Sequence, residues 1–190
     1  MTTLEVLPSN LPIPIDDGAC RHLSGLHLPD IRLLASNGQM LNLSLLCGPT
    51  VVFVYPMTGH PARPLPFDWN QIPGARGCTT QACSFRDNIE MFAELGVRVF
   101  GLSNQTNSEQ QKAVARLQLP YRLLSDENLL FTRALALPLF ESGGGVRRIK
   151  RLTLICRSGI IEQCLYPVFP PDAHATQVLA LLTGSSPQTG

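Results

Sequence analysis

Two cysteines five residues apart, Cys78 and Cys83, stand in the stretch Gly77-Cys78-Thr79-Thr80-Gln81-Ala82-Cys83-Ser84-Phe85-Arg86-Asp87. Cys78 follows an apolar run and a loop, and it opens a helical pattern. At a helix N-terminus, unpaired backbone N–H groups and about half a positive charge favour a thiolate over a thiol. The thiolate is the nucleophilic form. Arg76 and Arg86 add positive charge nearby in sequence. In continuous helix, five residues rise about 7.5 Å, whereas a disulfide needs Cα atoms roughly 4.4–6.8 Å apart. The pair therefore cannot bond while the first helical turns stay wound, and a redox cycle between them needs the helix start to open.

Plainer roles compete. Cys78 can be a buried packing cysteine, and Cys83 a core position of an amphipathic helix. Cys156 and Cys164 sit in apolar runs and read as packing residues, while Cys20 and Cys47 are isolated. A zinc site would have to use Cys-x4-Cys followed far away by Cys-x7-Cys, which lacks the usual short knuckle spacing. The four histidines are scattered and form no pair with metal spacing. Arg147-Arg148-x-Lys150-Arg151 reads as a solvated charged face entering a strand rather than a nucleic-acid patch.

The elements that must position Cys78 follow from periodicity. Residues 31–43 read as a hairpin turning at Asn37-Gly38. Residues 50–55 form a buried strand closed by Pro56. Residues 57–77, rich in Pro and Gly and carrying Phe67 and Trp69, form a long loop of the kind that tends to be functional; Trp69 either covers a pocket or anchors the loop. A helix over 79–95 ends at Gly96. A second buried strand spans 97–102, and an amphipathic helix spans 108–117. A short strand at Leu123-Leu124 precedes a helix over 128–135 capped from Ser125-Asp126. Gly143-Gly144-Gly145 reads as a flexible break. Strands over 151–156 and 160–166 turn at Ser158-Gly159, and a last helix runs through Val178 to Leu182. This order predicts an α/β domain with a mixed central sheet flanked by helices, of thioredoxin type, with an N-terminal hairpin and a long insertion before the active-site helix. The expected division is an N-terminal arm over 1–30, the domain over 31–183 and a flexible tail over 184–190.

Composition narrows the function. The 190 residues hold 44% hydrophobic and 15% charged side chains with a net charge of +1, enough apolar material for a core and too little field to steer nucleic acid or an anionic membrane. No segment approaches the roughly 20 apolar residues of a membrane span, and the acidic N-terminal region lacks the basic start of a signal peptide. The expectation is a cytoplasmic protein, where disulfides are transient, catalytic or redox-sensing.

The segment around Cys78 resembles the peroxiredoxins, in their Q or bacterioferritin-comigratory-protein branch, whose pattern runs roughly Thr-Pro-Gly-Cys-Thr-x-x-x-Cys-x-Phe-Arg-Asp. The matches are Gly77, Cys78, Thr79, Cys83, Phe85, Arg86 and Asp87. Further likenesses cover most of the chain: Pro29-Asp30-Ile31 with Asn37-Gly38, residues 52–56 ending in Tyr-Pro, residues 99–103, residues 120–126, and Arg151-Leu152-Thr153-Leu154-Ile155. The resemblance implies that Cys78 attacks a hydroperoxide, that Arg151 stabilises the peroxide oxygens, and that Cys83 resolves the sulfenic acid into a disulfide. A thioredoxin or glutaredoxin-like protein would reduce it, with no metal, flavin or haem and with a monomer or weak dimer as the working form. Hydrogen peroxide and organic hydroperoxides are the expected substrates. Two departures stand out. The family has Thr or Ser three residues before the peroxidatic Cys and Pro seven before it; here these positions are Ala75 and Gln71. Thr58, two residues after Pro56, is the expected replacement hydroxyl, with the 57–77 loop as a wall of the pocket. A thiol–disulfide oxidoreductase or redox sensor, and a non-enzymatic thioredoxin-fold binding module, are the alternatives.

Overall fold

The computed structural model describes residues 10–184. Its strands and helices run β1 (Arg32–Ala35), β2 (Met40–Asn42), β3 (Pro49–Val54), α1 (Cys78–Asp87), α2 (Ile89–Glu94), β4 (Arg98–Ser103), α3 (Asn107–Leu117), β5 (Arg122–Ser125), α4 (Leu130–Ala134), β6 (Leu139–Ser142), β7 (Val146–Ile149), β8 (Leu152–Arg157), β9 (Ile160–Leu165) and α5 (His174–Leu182). Seven strands form one mixed sheet in the order β2-β1-β5-β4-β3-β8-β9, and β6 and β7 form a separate hairpin. Strand β3 lies parallel to β4, which lies parallel to β5; β8 joins β3 from the other side, antiparallel. The fold is the mixed, thioredoxin-type α/β arrangement that the element order predicts.

Alternation along β3 builds two cores. Val52 and Val54 face one cluster with Leu102, Leu124, Leu152 and Leu154. Val51 and Phe53, followed by Tyr55, face the other with Phe85, Phe92, Leu123, Ile155 and Cys78. Both faces of a central strand are covered, so β3 reads as an unbroken apolar run. Helix α1 is fixed to the second face by Phe85, whose ring stacks on Phe53 at 4.4 Å between centroids and 7° between planes. A pair of this kind is worth about 0.5–1.5 kcal/mol beyond its buried area. Gly101 is required beside it: a Cβ there would come within 2.7 Å of the Phe53 ring and 2.6 Å of Leu123.

The first core face is closed by the described part of the arm. Cys20, Leu23 and Leu28 are buried in it, and the segment bonds along β9, with Gly25 N–H donating to Ile161 O at 2.8 Å and Leu28 N–H to Gly159 O at 2.7 Å. Residues 1–9 of the expected arm and 185–190 of the expected tail lie outside the described residues.

Three expectations need correcting. The helix over 79–95 is two helices, because Asn88 leaves helical geometry and its side-chain amide donates to Ser84 O at 2.8 Å, a local competition with the backbone ladder. The three glycines 143–145 are a tight turn between β6 and β7, with φ of 55, 85 and 104°. The run 147–151 is not one solvated face: Arg148 is half-buried and Arg151 is buried. Asp126 does cap α4, accepting from the N–H groups of Phe131 and Thr132 at 3.0 and 2.8 Å.

Candidate active site

The end of β3 and the start of α1 meet at Cys78. Gly77 precedes the helix in the left-handed region, φ 96°, where a side chain would be strained. The Cys78 sulfur is buried, 3% exposed for the residue. Met57 N–H donates to it at 3.4 Å, and Arg151 Nη2 donates at 3.2 Å. The thiol lies 3.5 Å from Ala75 O. Two donors and a helix start thus converge on one sulfur.

Arg151 enters from the junction of β7 and β8. Its Nη2 also donates to the carbonyls of Gly74, Ala75 and Arg76 at 3.2, 3.3 and 2.9 Å, and Nη1 donates to Gln81 Oε1. A planar fork is needed to bridge the returning loop, the first turn of α1 and the sulfur together. Gln81, fully buried one turn beyond Cys78, is a positioning residue that the sequence does not announce.

Cys83 lies on the same unbroken helix and packs against the second core cluster. Tyr121 and Arg86 are its electrostatic neighbours, and the Tyr121 hydroxyl donates to Ala82 O at 2.6 Å. Among the described residues no cysteine is in a disulfide.

Thr58 is buried near the site, but its hydroxyl is turned away from the role expected of it. It donates to Gln105 Oε1 at 3.0 Å, as does Thr58 N–H at 2.8 Å, and Gln105 Nε2 donates back to Thr58 O at 3.3 Å. The donor that reaches sulfur is the preceding residue's backbone N–H. Gln105 is 4% exposed; a lone Gln after a strand carries no pattern that announces such a role. Trp69 is 2% exposed and packs on Phe140 at 5.9 Å. It anchors the 57–77 loop to the β6–β7 hairpin, helped by Asp68, which accepts from Gly143 N–H at 3.0 Å.

A family model described as Redoxin matches residues 23–179. The chain belongs to the redoxin family. Its relatives include chloroplastic peroxiredoxin Q proteins, of some of which the chain spans slightly less than two thirds. It is 30% identical over 157 residues to the chloroplastic peroxiredoxin Q of Populus jackii, covering 81% of this chain and 65% of that one. It is 29% identical over 183 residues to that of Gentiana triflora, covering 92% of this chain and 76% of the relative. Among solved structures, peroxidoxin BcpB from Mycobacterium tuberculosis superposes with a TM-score of 0.67 at 28% identity, over 85% of this chain and 96% of that one. Peroxiredoxin Q from Xanthomonas campestris does so with a TM-score of 0.66 at 25% identity, over 84% and 96%.

Two cavities flank the redoxin site. One of about 530 Å³ lies against Met57, Thr58 and Gln105 and is walled by the 57–67 segment and the β6–β7 hairpin. A second, of about 360 Å³, touches Gly74 and Arg151 from the other side of the returning loop. Among the described residues no group of three or more His, Cys, Asp or Glu could hold a metal ion, and no helix is long and apolar enough to cross a membrane.

His174 opens α5 over the same core. Its ring meets Phe85 edge-on at 5.7 Å, and Nε2 lies 2.8 Å from Thr153 Oγ1. Burial first, and the Arg151 charge as a lesser cause, push its pKa down to about 4 from 6.5, against the opposing bond to Gln177. The unfolded chain therefore binds the extra proton between these values. Stability from this residue is complete above pH 6.5 and falls as the pH is lowered towards 4, by up to about 3 kcal/mol. Urea unfolding of wild type and His174→Gln at pH 7 and 4.5 checks this. The wild type is expected to lose more on acidification than the variant, and equal losses would contradict it.

Proposed function

We propose that the protein is a thiol-dependent peroxidase that reduces hydrogen peroxide and organic hydroperoxides through Cys78. One observation carries the reading: the Cys78 sulfur sits at the start of α1 between Met57 N–H and Arg151 Nη2. The thiolate attacks the terminal oxygen of R–O–O–H. An S–O bond forms, the O–O bond breaks, and the alkoxide leaves and takes up a proton as the alcohol. Cys78 becomes a sulfenic acid. Met57 N–H and Arg151 are aimed where charge develops on the peroxide oxygens, and pre-placed donors of this kind lower the barrier without reorganising.

Cys83 then attacks the Cys78 sulfur. The S–S bond forms and the hydroxyl leaves as water with the Cys83 proton. Because α1 is unbroken from Cys78 to Asp87, this step requires its first turn to unwind. A thioredoxin or glutaredoxin-like dithiol then reduces the disulfide by exchange, in a reducing compartment such as the cytoplasm. Thr58 acts in this reading as a positioning residue, not as a hydroxyl donor to peroxide: with Gln105 it fixes the backbone that presents Met57 N–H. The observation favouring a redox sensor instead is that the Thr58 hydroxyl is bonded to Gln105 while Ala75 has none. Peroxide consumption under a thioredoxin couple separates the two; Cys78–Cys83 cycling without turnover would favour the sensor.

The positioning role is testable through Gln105. Gln105→Ala leaves the buried Thr58 N–H and hydroxyl without their acceptor, at about 1–3 kcal/mol for each group. The expected result is a lower unfolding midpoint together with roughly tenfold slower single-turnover oxidation of Cys78, a loss of about 1.4 kcal/mol of transition-state stabilisation. Gln105→Glu, which keeps the acceptor, should recover most of the rate. A destabilised Ala variant with an unchanged oxidation rate would make the residue merely structural.

A further inference from the structure

Two cysteines outside the active site meet where the arm crosses the sheet. Cys20 is buried in the first core. Cys164 stands opposite Leu154 in the β8–β9 ladder and packs, half-buried, against the same core. Strand β9 is the last of the sheet, and the arm runs antiparallel along it between two anchors. At one, Gly25 N–H donates to Ile161 O at 2.8 Å and Ile161 N–H donates to Leu26 O at 2.9 Å. At the other, Lys150 Nζ lies 2.7 Å from Asp17 Oδ2 and donates to the Tyr166 hydroxyl at 3.3 Å. Cys20 falls between the anchors on the arm, as Cys164 does on β9, and there the Cys20 thiol is hydrogen-bonded to the Cys164 side chain. Both are free thiols.

The two thiols are not equivalent. The bond to Cys164 first, then burial, then the negative charges of Cys164, Asp17 and Asp16, push the Cys20 thiol far above its ordinary range. Cys20 therefore holds its proton, and the first nucleophile is the more exposed Cys164. Once the Cys164 sulfur is bonded to another sulfur it carries no charge, so the bond to it and its charge no longer hold the proton on Cys20. Cys20 then becomes the attacking group. Exchange with a disulfide needs a reachable thiolate and a second thiol behind it, and the pair supplies both.

We propose that Cys20 and Cys164 form a second redox site, at which exchange with a small-molecule disulfide clamps the arm to β9. The Cys164 thiolate attacks one sulfur of R–S–S–R; a new S–S bond forms, the old one breaks, and R–S⁻ leaves and takes up a proton. Cys20 gives its proton to solvent and attacks the Cys164 sulfur. The mixed disulfide breaks and the second R–S⁻ leaves, to be protonated in turn. The protein dithiol is oxidised, and one R–S–S–R is reduced to two R–SH. The bond closes a loop that spans most of the chain, which restricts the unfolded state strongly. It also ties down the segment that buries Cys20, Leu23 and Leu28 in the first core.

The test uses the full chain carrying Cys78→Ser, in which Cys83 has lost its partner, so no readout depends on peroxide consumption. Reduced protein is equilibrated with oxidised glutathione, remaining thiols are alkylated, and the peptides are mapped by mass spectrometry. Cys20–Cys164 should be the main disulfide within the chain, and dithiothreitol should return it to two thiols. The exposed Cys47 should carry glutathione, which shows that the medium oxidises. The thermal midpoint should rise by at least about 5 °C when the bond forms. Adding Cys20→Ala should abolish that rise and leave glutathione on Cys164, whereas adding Cys164→Ala should leave Cys20 a thiol. Recovery of Cys20 and Cys164 as alkylated thiols while Cys47 holds glutathione would overturn the site. So would glutathione retained on Cys164 with an intact Cys20 still a thiol beside it. A Cys20–Cys164 bond that leaves the midpoint unmoved would overturn the clamp.

Discussion

Replacing Cys78 by serine should abolish peroxide reduction, by more than about three orders of magnitude, the scale on which removing a nucleophile acts. Among the described residues the sulfur's partners are Met57 N–H, Arg151 Nη2 and Ala75 O. Two are donors and one is a backbone carbonyl, so no side chain there can serve as a base for a serine hydroxyl. Serine is a poor nucleophile without one. The substitution removes little volume and leaves Gly77 and the aromatic stack of α1 in place, so the circular dichroism spectrum should match wild type. NADPH consumption with thioredoxin and its reductase reads the rate. Measurable turnover by a folded Cys78→Ser protein would mean that another group does the chemistry.

Arg151→Lys should cost about a hundredfold or more in the rate of Cys78 oxidation, the range seen when one pre-placed donor to a developing charge is lost. The guanidinium bonds sulfur, Gln81 and the three carbonyls of residues 74–76 together. An ammonium has three donors and no planar fork, so it cannot span the loop and the helix start at once. Stopped-flow oxidation of the reduced protein by hydrogen peroxide measures this step alone. A folded Lys variant with the wild-type rate would remove Arg151 from the reaction and leave it as a loop clamp.

Much of this was legible because local rules and tertiary packing agree. The apolar run of β3, the Asn37-Gly38 turn and the Ser158-Gly159 turn each combine a periodic pattern with residues that tolerate the required backbone; Gly38, Ser158 and Gly159 have φ of 81, 48 and 79°. Cys78 at a helix start was readable for the same reason. What stayed hidden depends on contacts distant in sequence. Gln81 and Gln105 are polar residues without periodicity, and only the crossing of α1, the β3 exit and the β4 end buries them. The Thr58 hydroxyl looked available because its partner lies 47 residues away. Arg148 and Arg151 sit in one charged run, yet the β6–β7 hairpin and its junction with β8 send them to a cavity and to the sulfur. Charge content alone cannot separate those fates.

The central claim is that Cys78 is oxidised by peroxide and resolved by Cys83, and peptide mass spectrometry tests it most directly. Fully reduced protein receives one equivalent of hydrogen peroxide, and remaining thiols are alkylated before digestion. The account predicts a Cys78–Cys83 disulfide as the main product in wild type, and a dimedone-trapped sulfenic acid on Cys78 in Cys83→Ser. An alkylated, unmodified Cys78, or a Cys78 disulfide to Cys20, Cys47, Cys156 or Cys164 with Cys83 still a thiol, would contradict it.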